Sequence, residues 1–171
     1  MSPHNEQHFC EQYPLIFRAR RGRQPGDAPY WGLAVQDGWF DLIDMLCAHL
    51  YATYRQAAKS YERAREGEGK APYPGAEVVT AVDVERKRLA MKAAETTVPR
   101  AVQVKEKFGT LRFYVDGGSP EMQAVIAFAE DMSSRMCEQC GAPAHTRAGG
   151  WVRTLCDEHE AQYQSRKTAL A

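Results

Sequence analysis

Apolar and polar residues alternate most plainly between residues 101 and 115, where Val102, Val104, Leu111, Phe113 and Val115 take alternate positions among charged and amide side chains. A period of two places such residues on one face of a strand. Gly109-Thr110 interrupts the run, so the segment predicts a hairpin of strands 101–108 and 111–115 that ends at Asp116-Gly117-Gly118. Elsewhere the period is helical. Trp39, Ile43, Leu46, Leu50, Tyr54, Ala57 and Tyr61 form one stripe, widened by Phe40, Leu42, Cys47 and Tyr51. With Asp37 as candidate cap and Asp41, Asp44, Arg55, Lys59 and Glu62 off the stripe, this predicts one long amphipathic helix.

Ser119-Pro120-Glu121 supplies a cap, a first-turn proline and an acid near the positive end of the dipole, so a second helix begins there. Its buried face is Met122, Val125, Ile126, Ala129, Met132 and Met136. Residues 83–95 read as a surface helix bearing Arg86, Lys87, Arg88 and Lys92, while residues 78–84 read equally as a strand or a helix start. Residues 30–35 predict a short strand. Residues 1–12 are polar and read as a loose arm, His4 and His8 included, followed by an apolar anchor at 13–17. The prolines and glycines of residues 64–76 predict a flexible connection. The expected fold is α+β: a long amphipathic helix and a second helix packed on a small antiparallel β-hairpin or sheet, with the core in residues 1–136.

Composition changes this picture little. Apolar residues make up 44% and charged residues 26% of 171, which fits an ordinary folded chain. Lysine plus arginine equal aspartate plus glutamate at 22 each, so no global field gathers nucleic acid and any such binding needs a local patch. The best local patch is Arg18, Arg20, Arg21 and Arg23, able to grip phosphate or carboxylate, although Gly22, Pro25, Gly26 and Pro29 make it read first as a solvated loop. The N-terminus has no apolar leader and no run reaches the ~20 residues of a membrane span, so a cytoplasmic protein is expected.

The chemistry is concentrated in residues 137–171. Cys137 and Cys140 form a C-x2-C pair, fifteen residues intervene, and Cys156 and His159 form C-x2-H. Thiolate sulfur and imidazole nitrogen suit Zn2+, and a two-residue gap aims both members of a pair at one point. Gly141 follows the first pair, where a turn presenting backbone amides to sulfur needs positive φ. Residues 145–154 read as a hairpin turning at Gly149-Gly150, and Asp157-Glu158-His159-Glu160 opens a polar helix. This order looks like a treble-clef zinc finger. His145 is the alternative fourth ligand; His159 is preferred because its gap from Cys156 mirrors the first pair. Cys10 and Cys47 belong to no such spacing, and Cys47 sits among apolar residues as a small hydrophobe.

Asp37-Gly-Trp-Phe-Asp-Leu-Ile-Asp44, Val104-Lys-Glu-Lys-Phe-Gly109 with Leu111-Arg-Phe-Tyr114, and the cysteine segment through Gly149-Gly-Trp-Val-Arg-Thr-Leu-Cys-Asp-Glu-His159 together resemble a family of small uncharacterised proteins from tailed phages and prophages. That resemblance implies a phage setting, a host-cell cytoplasmic location and a metal finger, with no established activity. The finger is also similar to those of DksA and TraR type RNA-polymerase-binding proteins, from which this chain departs in its histidine ligand and in lacking a long coiled coil with an acidic tip.

Three functions compete. A closed four-ligand site serves structure, which favours a non-enzymatic protein binding a host macromolecule through Arg147, Trp151 and Arg153. Nucleic-acid binding would use Arg147, Arg153, Arg166 and Lys167, with residues 18–23; the neighbouring Asp157, Glu158 and Glu160 thin that footprint. A treble-clef nuclease would need His145 as general base and a second, open metal. No Walker loop, GxSxG elbow or HExxH is present in the sequence.

Overall fold

The alternating segment does fold as a hairpin: β2 (Arg100–Lys107) pairs antiparallel with β3 (Thr110–Asp116). In the computed structural model, which describes residues 1–18 and 32–169, the turn falls one residue earlier than expected, at Phe108-Gly109. Both residues have positive φ, 54° and 76°, the geometry in which a two-residue turn follows the natural twist of its strands. On the other edge of β2 lies β1 (Leu33–Ala34), running parallel with Leu33 beside Val104. The sheet, ordered β1-β2-β3, is therefore mixed and not the antiparallel one expected. Tyr30 and Trp31 of the expected strand, and Arg20, Arg21 and Arg23 of the basic run, lie outside the described residues.

The chain forms two compact units, residues 1–48 with 99–171, and residues 49–98. Their boundaries fall at 48/49 and 98/99, whereas the sequence reading divides the chain at 136/137; the cysteine segment belongs to the same unit as the three-stranded sheet.

The first unit begins with α1 (Pro3–Gln12), where the sequence suggests a loose arm. Ser2 caps it, accepting the Asn5 amide, and Pro3 takes the first turn. Only Phe9 and Cys10 of α1 are buried, too few apolar positions to reveal a period. Phe9 packs 5.1 Å from Phe40 and 6.0 Å from Phe17, and Phe17 meets Phe113 of the sheet edge-on. Tyr13, Ile16 and Phe17 are buried, and the Ile16 carbonyl accepts the Ala101 amide, tying this anchor to β2.

The expected long helix is instead a 3-10 turn (Asp37–Trp39) followed by α2 (Phe40–Leu50) and α3 (Ala52–Glu66), separated at Tyr51. The unit boundary at 48/49 falls in the last turn of α2, just before this break. Trp39, Ile43, Leu46 and Cys47 are buried, whereas α3 has no buried residue. Periodicity could not show the break, because the Arg55 amide still bonds the Tyr51 carbonyl and the stripe keeps its phase across it. In the second unit α3 packs against α4 (Ala81–Thr97). Thr80 and Asp83 form a reciprocal capping box, so residues 78–84 are a cap and helix start, with Val79 bridged to Glu68 across the Gly/Pro connection. Three of the four basic residues of α4 are matched one turn away: Arg86 with Asp83, Arg88 with Glu85 and Lys92 with Glu95. Exposed pairs of this kind contribute little stability, but they offset the charge of three of those four residues.

Back in the first unit, α5 (Pro120–Ser133) covers the free edge of β3. Ser133 accepts the Leu111 amide at 2.8 Å and donates to the Glu130 carbonyl, and the Glu130 carboxylate accepts the Phe113 amide at 2.8 Å. An edge strand normally exposes such amides, and here two helix side chains satisfy them. Ser133→Ala leaves the buried Leu111 amide without its acceptor, so a loss of about 1–3 kcal/mol is expected in a denaturant titration.

Candidate metal centre

After α5 the chain turns through residues 137–141, forms the hairpin β4 (His145–Arg147) and β5 (Arg153–Leu155), and enters α6 (Asp157–Ala169). The first turn is a tight knuckle. Gly141 donates its amide to the Cys137 carbonyl at 2.8 Å, and Cys137 donates to Ala142 at 2.8 Å. Gly141 has φ +76°, as the sequence suggests it must. Cys156 lies just before α6 and His159 in its first turn, where the Glu160 amide reaches back to the Cys156 carbonyl.

These elements bring Cys137, Cys140, Cys156 and His159 together, their ligand atoms all within 4.8 Å of one another, as a group able to hold a metal ion. The two sulfurs of Cys140 and Cys156 are 3.9 Å apart, and His159 Nδ1 is 3.2 Å from the Cys156 sulfur and 3.5 Å from that of Cys137. A tetrahedron with metal–sulfur bonds of about 2.3 Å and a metal–nitrogen bond of about 2.0 Å has edges of roughly 3.5–3.8 Å. Three of the six donor separations thus lie near such edges, and none exceeds 4.8 Å. His145, the alternative ligand, is exposed on β4 and outside the group.

Electrostatics point the same way. Burial disfavours the Cys137 thiolate, but amides of Cys156, Gln139 and Cys140 and the Cys140 thiol bring its pKa down to about 7. Cys140 moves oppositely: the Ala142 amide favours its thiolate, yet burial and the sulfurs of Cys137 and Cys156 outweigh that and raise it. Gathered sulfurs cannot all ionise against one another, and a divalent cation among them removes the conflict.

The cluster is backed by the core. Gly38, in the 3-10 turn, donates its amide to the Glu138 carbonyl at 3.0 Å, and the Trp39 indole donates to the Met136 carbonyl at 3.0 Å. A Cβ on Gly38 would lie 2.3 Å from the Cys137 carbonyl oxygen and 2.5 Å from the Cys140 nitrogen. From the other side, the Glu138 amide bonds the Thr154 carbonyl, and the buried Thr154 hydroxyl donates to Gly109 at the β2-β3 turn. A small core of Cys137, Ala144 and Leu155, with Cys156 and Tyr163 against it, lies behind the donors.

The three residues assigned to partner binding divide. Arg147 is engaged internally, donating to the Leu155 carbonyl at 3.1 Å and to Asp157 at 2.5 Å. Arg153 lies 4.4 Å over the Tyr163 ring. Trp151 is 65% exposed and so does not cap the finger's small core. Sequence reasoning missed Gly38, whose Asp-Gly reads as an ordinary strand end, and Glu138, which sits unremarked between two cysteines. Burial raises the Glu138 carboxyl above the usual range; Glu106 adds to this and Arg153 opposes it.

No protein-family model, no curated protein and no solved structure matches this chain. Among the described residues no helix is long and apolar enough to cross a membrane.

Proposed function

We propose that the four donors hold one structural Zn2+ in a treble-clef-like finger, and that the protein is a non-enzymatic binding protein whose finger and adjoining hairpin tips meet a partner macromolecule. The observation that carries this is the convergence of three thiols and one imidazole within 4.8 Å of one another on a knuckle fixed by the core. Four protein ligands fill a zinc tetrahedron, so the ion shapes the fold and leaves no position for substrate. The surface offered is aromatic: Trp151 and Phe108 are exposed at the tips of neighbouring turns and line one hollow. Exposed aromatic side chains at such positions are common anchors of protein interfaces.

The resemblance to small tailed-phage proteins makes a host protein in the host cytoplasm the partner of choice, bound so as to inhibit defence or redirect host machinery. A nucleic-acid partner has less support, because Arg147 and Arg153 are already engaged within the finger. A nuclease has less still, since among the described residues no second group of His, Cys, Asp or Glu able to hold a metal accompanies His145. Freshly purified protein should contain about one zinc per chain by elemental analysis. Affinity capture from infected cells should enrich one host protein in a manner lost in Trp151→Ala; nuclease-sensitive, salt-labile capture of nucleic acid would replace this reading with the second.

A further inference from the structure

A second site lies beside the metal cluster. Met1, Ala34 of β1, Val35 and Gln36 just after it, Glu106 of β2, Glu138 of the knuckle, and Trp151 and Arg153 of the finger hairpin line a hollow of about 450 Å3. Glu138 is 4% exposed, and among the described residues no donor lies within hydrogen-bonding or ion-pairing distance of its carboxylate. Its backbone is fixed at both ends, by Thr154 and by Gly38, so the side chain is committed to the hollow it lines. A buried carboxylate without a partner costs several kcal/mol in general, and native structures rarely keep one without a use.

From these features we infer that the hollow is a receptor for a guanidinium group, supplied by an arginine side chain of a protein partner. Glu138 offers two unused oxygens to a forked N–H donor. Glu106 adds a second carboxylate, of which Oε1 already accepts the Gly109 amide at 2.6 Å. Trp151, exposed on the rim, provides a flat face on which a planar cation stacks. Two resident cations line the hollow and neither fills the role: Arg153 is turned to the Tyr163 ring, the Met1 ammonium donates to the Leu33 and Val35 carbonyls, and neither forms an ion pair among the described residues. An arginine joins charge, planarity and paired donors in one group, which a lysine ammonium does not.

The inference rests on the binding reading above and specifies where the partner is gripped. Its test uses the full-length, zinc-loaded protein and methylguanidinium, titrated to about 30 mM because one small cation binds in the millimolar range. The Trp151 indole N–H resonance, assigned by its loss in Trp151→Ala, should shift saturably, and that of Trp39 should not. Glu138→Gln should weaken binding about tenfold or more at unchanged zinc content and melting temperature. Should that variant lose zinc, Trp151→Ala decides, since its exposed ring carries no core: about threefold weaker binding, followed on the Ala34 and Gln36 amides, is expected. Absence of a saturable shift in the wild type, equal affinity in Glu138→Gln, equal affinity for methylammonium, or tighter binding of guanosine monophosphate would each overturn the assignment. Host-protein capture that survives with a silent methylguanidinium titration sinks the receptor alone; saturable methylguanidinium binding without any captured protein sinks the partner reading alone.

Discussion

Removing the metal with a strong chelator, or replacing Cys140 by serine, is expected to lower the melting temperature by about 8–16 °C and to expose the amides of residues 137–169 to exchange. Thiolate ligation is coupled to folding: structural zinc contributes about 10–16 kcal/mol in isolated fingers. Here the small core behind the donors is Cys137, Ala144 and Leu155, far too little apolar surface to hold the finger without the ion. Not all of that energy reaches the whole protein, because the finger can loosen while the sheet persists. A loss of about 4 kcal/mol corresponds to about 8–16 °C for a chain of this size, and the links of Gly38, Trp39 and Thr154 to the knuckle and hairpin carry it inward. Differential scanning calorimetry with and without chelator checks the shift, and equal transitions would end the structural-metal reading.

Gly38→Ala is expected to be comparably severe, although it touches no ligand. A methyl group at this position meets the Cys137 carbonyl oxygen at 2.3 Å, the Cys140 nitrogen at 2.5 Å and the Gln139 carbonyl carbon at 2.7 Å. All three are backbone atoms, which cannot swing aside as a flexible side chain can. Either the 3-10 turn retreats from the knuckle, breaking the Gly38–Glu138 and Trp39–Met136 hydrogen bonds, or the knuckle opens and misplaces two thiols. Overpacking commonly costs 1–3 kcal/mol, and this contact belongs at or above the top of that range, about 3 kcal/mol or a fall of roughly 6–12 °C. Zinc affinity, measured by competition with a chromophoric chelator, should drop at least about tenfold. Gly149→Ala is the control, since nothing lies within 4 Å of a Cβ there and stability should stay within about 0.5 kcal/mol.

What the sequence revealed follows from which signals are local. The β2-β3 hairpin, the Ser119 cap of α5 and the four donors are written in residues close together along the chain, and the structure contains each of them. Three features were not legible for identifiable reasons. The pause at Tyr51 leaves helical phase intact, so the stripe runs through it. The parallel placement of β1 depends on a partner about seventy positions away, and two residues carry no alternation. The role of Gly38 against residues 137–140 depends wholly on tertiary packing, and Asp-Gly looks the same whether it ends a strand or seats a knuckle. Glu138 belongs with these: only burial distinguishes it from any surface glutamate, and burial on this knuckle comes from β5 and the 3-10 turn together.

The indole-to-carbonyl bond from Trp39 to Met136 spans 97 positions. Contacts of such long range close late, because loop entropy must be overcome before they contribute. The C-x2-C turn therefore acquires its backing only after nearly the whole polypeptide has been synthesised and its first third has collapsed. Ion capture is thus expected late in folding, once the segment around Trp39 has packed.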